Sequence, residues 1–125
     1  MLLTGDYTKL VPAFEAMNVD QYVLEYATPR AGDVAVVGEA LGQRLGREIG
    51  LGVVNPRTSE PETVAEIVER VERALDYFPA DRIWLNPDCG FGCFANRCVN
   101  DEETAAAKLR RIVEAARLLR ERHGV

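Results

Sequence analysis

Cysteine, histidine and long apolar runs are all scarce in this chain of 125 residues, which carries three cysteines and one histidine. No apolar run comes near the roughly 20 residues that a membrane span needs, which excludes a transmembrane helix. The apolar stretch from Met1 to Leu3 is too short for a signal peptide, and no cleavage site follows it. A cytoplasmic protein is therefore expected, with reduced thiols and no disulfide. Basic charge is in deficit, 15 Lys and Arg against 20 Asp and Glu. That balance argues against a nucleic-acid partner, because phosphate binding draws on clustered cations. No G-x-G-x-x-G follows any apolar run, so the dinucleotide fingerprint of a doubly wound sheet is missing.

What remains is an ordinary globular composition, 47% hydrophobic and 28% charged. The length suits one domain or part of a larger one. Three short apolar runs read as strands: Gln21 to Tyr26, Leu51 to Asn55 and Arg82 to Asn86. Each ends in a turn signal, respectively Thr28-Pro29-Arg30-Ala31-Gly32, Asn55-Pro56-Arg57 and Asn86-Pro87-Asp88-Cys89-Gly90. Unbroken apolar runs suit parallel strands covered on both faces.

Helical stripes lie between and around these strands. Val34, Val37, Leu41, Leu45 and Ile49 recur at helical steps, with Gly38, Gly42 and Gly46 weakening the helix. Val64, Ile67, Val68, Val71, Leu75 and Phe78 make a second stripe, with Ser59 and Glu62 as its capping box. The third uses Ala105, Leu109, Ile112, Val113, Ala116 and Leu119, capped by Asn100 and Glu103. Lys108 and the arginines around it are expected on its solvent side, and the basic C-terminal half suits the helix dipole. A leading helix is expected over Thr8 to Met17, with Thr8 as N-cap and Pro12 in its first turns.

Tyr22 to Gly52 is 30 residues and Gly52 to Ile83 is 31. A strand-plus-helix period of about 30 is the unit of a TIM (β/α)8 barrel, in which eight units fill about 250 residues. The expected fold is therefore α/β: the last three βα units of such a barrel, parallel strands with outer helices, incomplete as a barrel. Residues 1–125 then form a single partial domain with two unpaired sheet edges and partly wet inner faces.

In βα folds, chemistry collects beyond the C-terminal strand ends. Those positions here hold Glu25, Tyr26, Thr28 and Arg30, then Asn55 and Arg57, then Asn86, Asp88 and Cys89. Glu25 sits in an apolar run, so an inward-pointing side chain must be paired, protonated or metal-bound. An ion pair with Arg30 or Arg57 is the plainer reading, and Asp88 has the plainer reading of a turn cap. Cys89, Cys93 and Cys98 form a C-x3-C-x4-C cluster that fits no common zinc ribbon or finger. His123 reads as a surface residue near a helix C-terminus.

The segments LEYATPRAGD (Leu24 to Asp33), LGVVNPRT (Leu51 to Thr58) and LNPDCGFG (Leu85 to Gly92) resemble the C-terminal catalytic barrel of cobalamin-independent methionine synthase. The single-barrel methionine synthase II-like proteins are the nearest in pattern, and the similarity runs over essentially the whole chain. The resemblance implies a zinc-dependent methyltransferase of methionine biosynthesis. In that family the metal is held by a His-x-Cys pair, a Glu and the Cys of N-P-D-C-G. The matching positions are Glu25 and Cys89; the His-x-Cys pair is absent, and Cys93 and Cys98 match no family ligand. Arg30 and Asp88 are expected to orient the ligands. One zinc ion, completed by ligands outside this chain, is implied as cofactor. The implied substrates are homocysteine or another small thiol and a methyltetrahydrofolate-type donor. Two alternatives accompany this reading. One is another thiol alkyltransferase of the family, such as one joining an epoxide to coenzyme M. The other is a non-catalytic subunit that forms homo-oligomers or associates with the missing barrel portion.

Overall fold

The computed structural model describes residues 5–92 and 99–125. Three parallel strands lie side by side in chain order: β1 (Gln21–Glu25), β2 (Glu48–Val54) and β3 (Ile83–Pro87). A short α1 (Val11–Ala16), with Pro12 in its first turn, precedes β1. Between β1 and β2, α2 (Ala35–Val37) runs on into a π-helical stretch, Gly38–Arg44. Then come α3 (Val64–Ala74) before β3 and α4 (Glu102–His123) after it. The alternation of strand and helix follows the barrel period, and the sheet does not close.

Register assigns every strand residue to one of two faces. Tyr22, Ile49 and Ile83 form one row and Leu24, Leu51 and Leu85 the next, both facing the helices. The opposite face carries Val23, Gly50 and Trp84, then Glu25, Gly52 and Asn86. Val23 and Trp84 are exposed on it, at 65% and 55%. The expectation of strands covered on both faces holds for β2, buried from Ile49 to Val54, and is corrected for β1, which alternates buried with exposed. The wet inner face expected of a partial barrel is what remains.

The core fills the helical side. Leu41, Ile49, Leu51, Val53, Val54, Ile67 and Phe78 are all essentially inaccessible. The glycines that weaken the helix after β1 have a packing reason. A Cβ on Gly38 would lie 2.4 Å from Tyr77 Cγ, and one on Gly42 2.4 Å from the Tyr77 carbonyl oxygen. The two segments can approach this closely only without side chains there.

That helix also ends earlier than its apolar stripe suggests. Gly46 adopts φ +62°, the left-handed conformation that stops helices, and its N–H closes on Gly42 O at 3.1 Å. Ile49 therefore belongs to β2, which starts at Glu48 rather than Leu51.

All three caps differ from the expected residues: Thr8 lies in a separate turn, Thr8–Leu10, and α1 starts at Val11 without a side-chain cap. The capping box of α3 is Thr63 with Glu66: Glu66 N–H donates to Thr63 Oγ1 at 3.2 Å, and Thr63 N–H to Glu66 Oε2 at 2.7 Å. Asp101 caps α4, accepting from Thr104 N–H at 2.7 Å. Ser59 and Glu62, and Asn100 and Glu103, do not cap. Glu62 and Asn100 are instead buried polar groups. Lys108, expected on the solvent side, is completely buried. Its Nζ donates to Asn55 O at 2.6 Å, Thr58 Oγ1 at 2.9 Å and Glu62 Oε1 at 3.3 Å. The inward stripe of α4 is Lys108, Ile112, Ala115 and Leu119. Burying an ammonium is tolerable only because every donor direction meets an acceptor.

Phe78, 1% exposed, fills the space that Gly42 leaves open. Phe78→Ala should lower the unfolding free energy by about 3–5 kcal/mol, measured by urea denaturation.

Candidate functional site

All three strands run the same way, so their C-terminal ends share one edge. Glu25 closes β1 there, exposed on the inner face. Its backbone N–H donates to Tyr7 Oη at 2.9 Å, and the Tyr7 hydroxyl donates back to Glu25 O at 3.3 Å. Tyr7 stacks obliquely on Tyr26, with ring centroids 5.4 Å apart. Desolvation raises the Tyr7 phenol, so it stays a neutral hydrogen-bonding group. Among the described residues no ion pair involves Glu25.

Asp88 stands directly after β3 and does more than cap its own turn. Its Oδ1 accepts from the amides of Tyr26 at 3.1 Å and Ala27 at 3.0 Å, 62 and 61 residues earlier in the chain. Its own N–H donates to Val54 O at 2.9 Å. One residue thus binds the ends of all three strands. Gly52 makes room for it, since a Cβ there would lie 2.2 Å from Asp88 Oδ1. Burial pushes the Asp88 carboxyl up to about 6; the Ala27 and Tyr26 amides oppose this and the charge of nearby Glu25 adds to it.

Cys89 follows at the same edge, half-buried, with Sγ 3.7 Å from Gly90 O. Arg30 lies in the exposed turn Pro29–Ala31. Cys93 and Cys98 fall outside the described residues. His123 ends α4, where its Nε2 lies 3.3 Å from Glu72 Oε1 on α3. The structure therefore gathers Glu25, Asp88 and Cys89 at one edge of the sheet, far from His123 in role and element. Among the described residues, no three His, Cys, Asp or Glu side chains cluster closely enough to hold a metal ion. A carboxylate and a thiol are suitable zinc donors, and they make up part of a site rather than a whole one.

Two groups were not singled out from the sequence. Tyr7 carries no sequence signal that links it to Glu25. Lys108 does, because a stripe phased at 108, 112, 115 and 119 has helical spacing.

Asp88 makes stability depend on pH. Its folded value of about 6 lies above the ordinary 3.8, so the folded state holds the proton more tightly. Its contribution is full below the ordinary value and is lost as pH rises through 6. With chelator present, the stability of the native chain relative to Asp88→Asn should fall between about pH 4 and about pH 7, read from paired denaturant titrations. The Tyr26 hydroxyl is buried without a hydrogen-bond partner among the described residues. Tyr26→Phe should therefore keep stability or raise it by up to about 1 kcal/mol, measured the same way.

Comparison with known proteins places the chain in a family. Residues 4–118 match the family described as cobalamin-independent synthase, catalytic domain. The methionine synthase of Pyrococcus abyssi is 32% identical over 93% of this chain and 31% of its own length. The 5-methyltetrahydropteroyltriglutamate–homocysteine methyltransferase of Acidithiobacillus ferrooxidans is 33% identical over 96% of this chain and 14% of its own. A solved B12-independent methionine synthase from Shewanella sp. W3-18-1, in complex with selenomethionine, superposes with a TM-score of 0.75. It is 21% identical, with 93% of this chain and 31% of that one covered, and shows the fold. The chain thus spans less than a third of the length of these relatives. With its three βα units in barrel order, it belongs to the cobalamin-independent synthase catalytic-domain family.

Proposed function

We propose that this chain forms part of the zinc site of a methionine synthase-type methyltransferase, with Glu25 and Cys89 as two of the metal's protein ligands. One observation carries the reading. Asp88 ties the end of the Glu25 strand to the segment bearing Cys89, at the edge where βα folds do their chemistry. The names of the relatives supply the reaction: a methyl group passes from a methyltetrahydropteroyl donor to homocysteine.

When bound, zinc would supply the Lewis acidity that ionises a thiol near neutral pH. The work of this chain's own residues is positional. Cys89 would hold the metal and Glu25 would be the ligand facing the open side. Asp88, braced by two backbone amides, would fix the distance between their strands. Arg30, in the turn beyond β1, would orient the ligands from outside the coordination sphere. Two protein ligands fall short of the three that a catalytic zinc site uses, so the remainder come from the other βα units of the barrel, whichever polypeptide carries them. The exposed Val23 and Trp84 on the inner face, and the edges of β1 and β3, unpaired among the described residues, support association with those units.

Titration of the purified chain with Co²⁺ should give weak binding with a thiolate charge-transfer absorption. That absorption should vanish in Cys89→Ser, survive in Cys93→Ser and Cys98→Ser, and weaken in Glu25→Gln. An absorption unchanged in Cys89→Ser would overturn the ligand assignment. The chain alone should not methylate homocysteine, and robust turnover by it would overturn the view that its site is incomplete.

A further inference from the structure

The most unusual buried group in the molecule lies away from Glu25 and Cys89. Lys108, without accessible surface, sends all three of its hydrogen bonds toward the connection between β2 and α3. Glu62, its ionic partner, uses its second oxygen to accept from Asn55 N–H at 2.6 Å. Asn100, just before α4, donates to Pro56 O at 2.5 Å and Thr58 O at 3.0 Å. Arg70 on α3 donates to Val53 O at 2.6 Å and lies 3.7 Å from Glu62. The backbone from Val53 to Thr58 is thus held from two helices.

Stability alone does not explain this arrangement. An apolar pair of similar volume commonly serves as well as or better than a buried ion pair. What apolar side chains cannot do is fix the orientation of particular carbonyls and amides in a loop. The loop held here forms one wall of an open cleft of 670 Å³, faced across the cleft by Ala27, Thr28 and Pro29. Arg57 projects from this wall, its amide tied to Asn55 Oδ1 at 2.9 Å.

We propose that Lys108 is a positioning residue, which from the last helix presets the segment Asn55 to Glu62 so that its ligand-facing groups, Arg57 foremost, stand in a fixed backbone geometry. The proposal rests on the reading of this edge as the ligand-binding end. Its test uses neither metal nor methyl donor, so the two can fail separately.

The reporter is amide hydrogen exchange at Arg57 in the full chain. Thr58→Val removes one acceptor of Lys108 from an exposed position, together with the hydroxyl's own 3.3 Å donation to Asn55 O, and leaves the core intact. It should speed exchange at Arg57 by about tenfold, while the amides of α3 stay protected. Lys108→Met, with Glu62 kept so that its bond to the Asn55 N–H survives, should lower the unfolding midpoint and speed Arg57 exchange about tenfold more than exchange in α3. A merely structural lysine gives the opposite pattern, in which Arg57 and the α3 amides speed up together with the loss of stability. Wild-type exchange in Thr58→Val, or equal acceleration of Arg57 and α3 in Lys108→Met, would overturn the proposal.

Discussion

The Asp88 carboxylate accepts the amides of Tyr26 and Ala27, and the Asp88 amide donates to the Val54 carbonyl. Through these three bonds the ends of β1, β2 and β3 are held in a common frame. The cost is visible in the carboxyl group itself, whose proton affinity is raised by burial and by the neighbouring Glu25 charge. Gly52 is the matching concession in the sheet, because any side chain there would occupy the carboxylate's place. A sheet without this tie would still pair its strands. The relative placement of Glu25 and Cys89 would then rest on loops alone.

The packing follows from a sheet with one dry face. Rows of Tyr22, Ile49 and Ile83, and of Leu24, Leu51 and Leu85, meet the helices. The other face is left to Gln21, Glu48, Val23 and Trp84, with Glu48 Oε2 accepting from both Gln21 Nε2 and Trp84 Nε1 at 3.0 Å. In a closed barrel that face is the packed interior, filled by layers of side chains from alternate strands. Here it stays open, with Val23 and Trp84 exposed on it. No helix among the described residues is long and apolar enough to cross a membrane.

Much of the architecture was legible because apolar periodicity survives in single sequence. The three strands, the barrel spacing and the leading proline-containing helix all follow from it. The caps were not legible, because the sequence holds two overlapping candidates at each place. Ser59 with Glu62 and Thr63 with Glu66 both have capping-box spacing. The second wins because Glu62 is drawn away to Lys108 and Asn55. Asn100 likewise turns toward Pro56 and Thr58, which leaves Asp101 to cap α4. The end of the helix after β1 depends on a positive φ at Gly46, one of three regularly spaced glycines that look alike in sequence.

Pattern alone was enough to establish the strand and helix types, their order and the residues at the strand ends, since side-chain periodicity is a local property of the chain. It also carried the likeness to the methyltransferase family. Which carboxylate bridges strands, which lysine is buried and which face stays open were decided by folding. Each of these depends on groups dozens of residues apart competing for the same few donors and acceptors. The outcome of that competition is set by distance and burial in three dimensions.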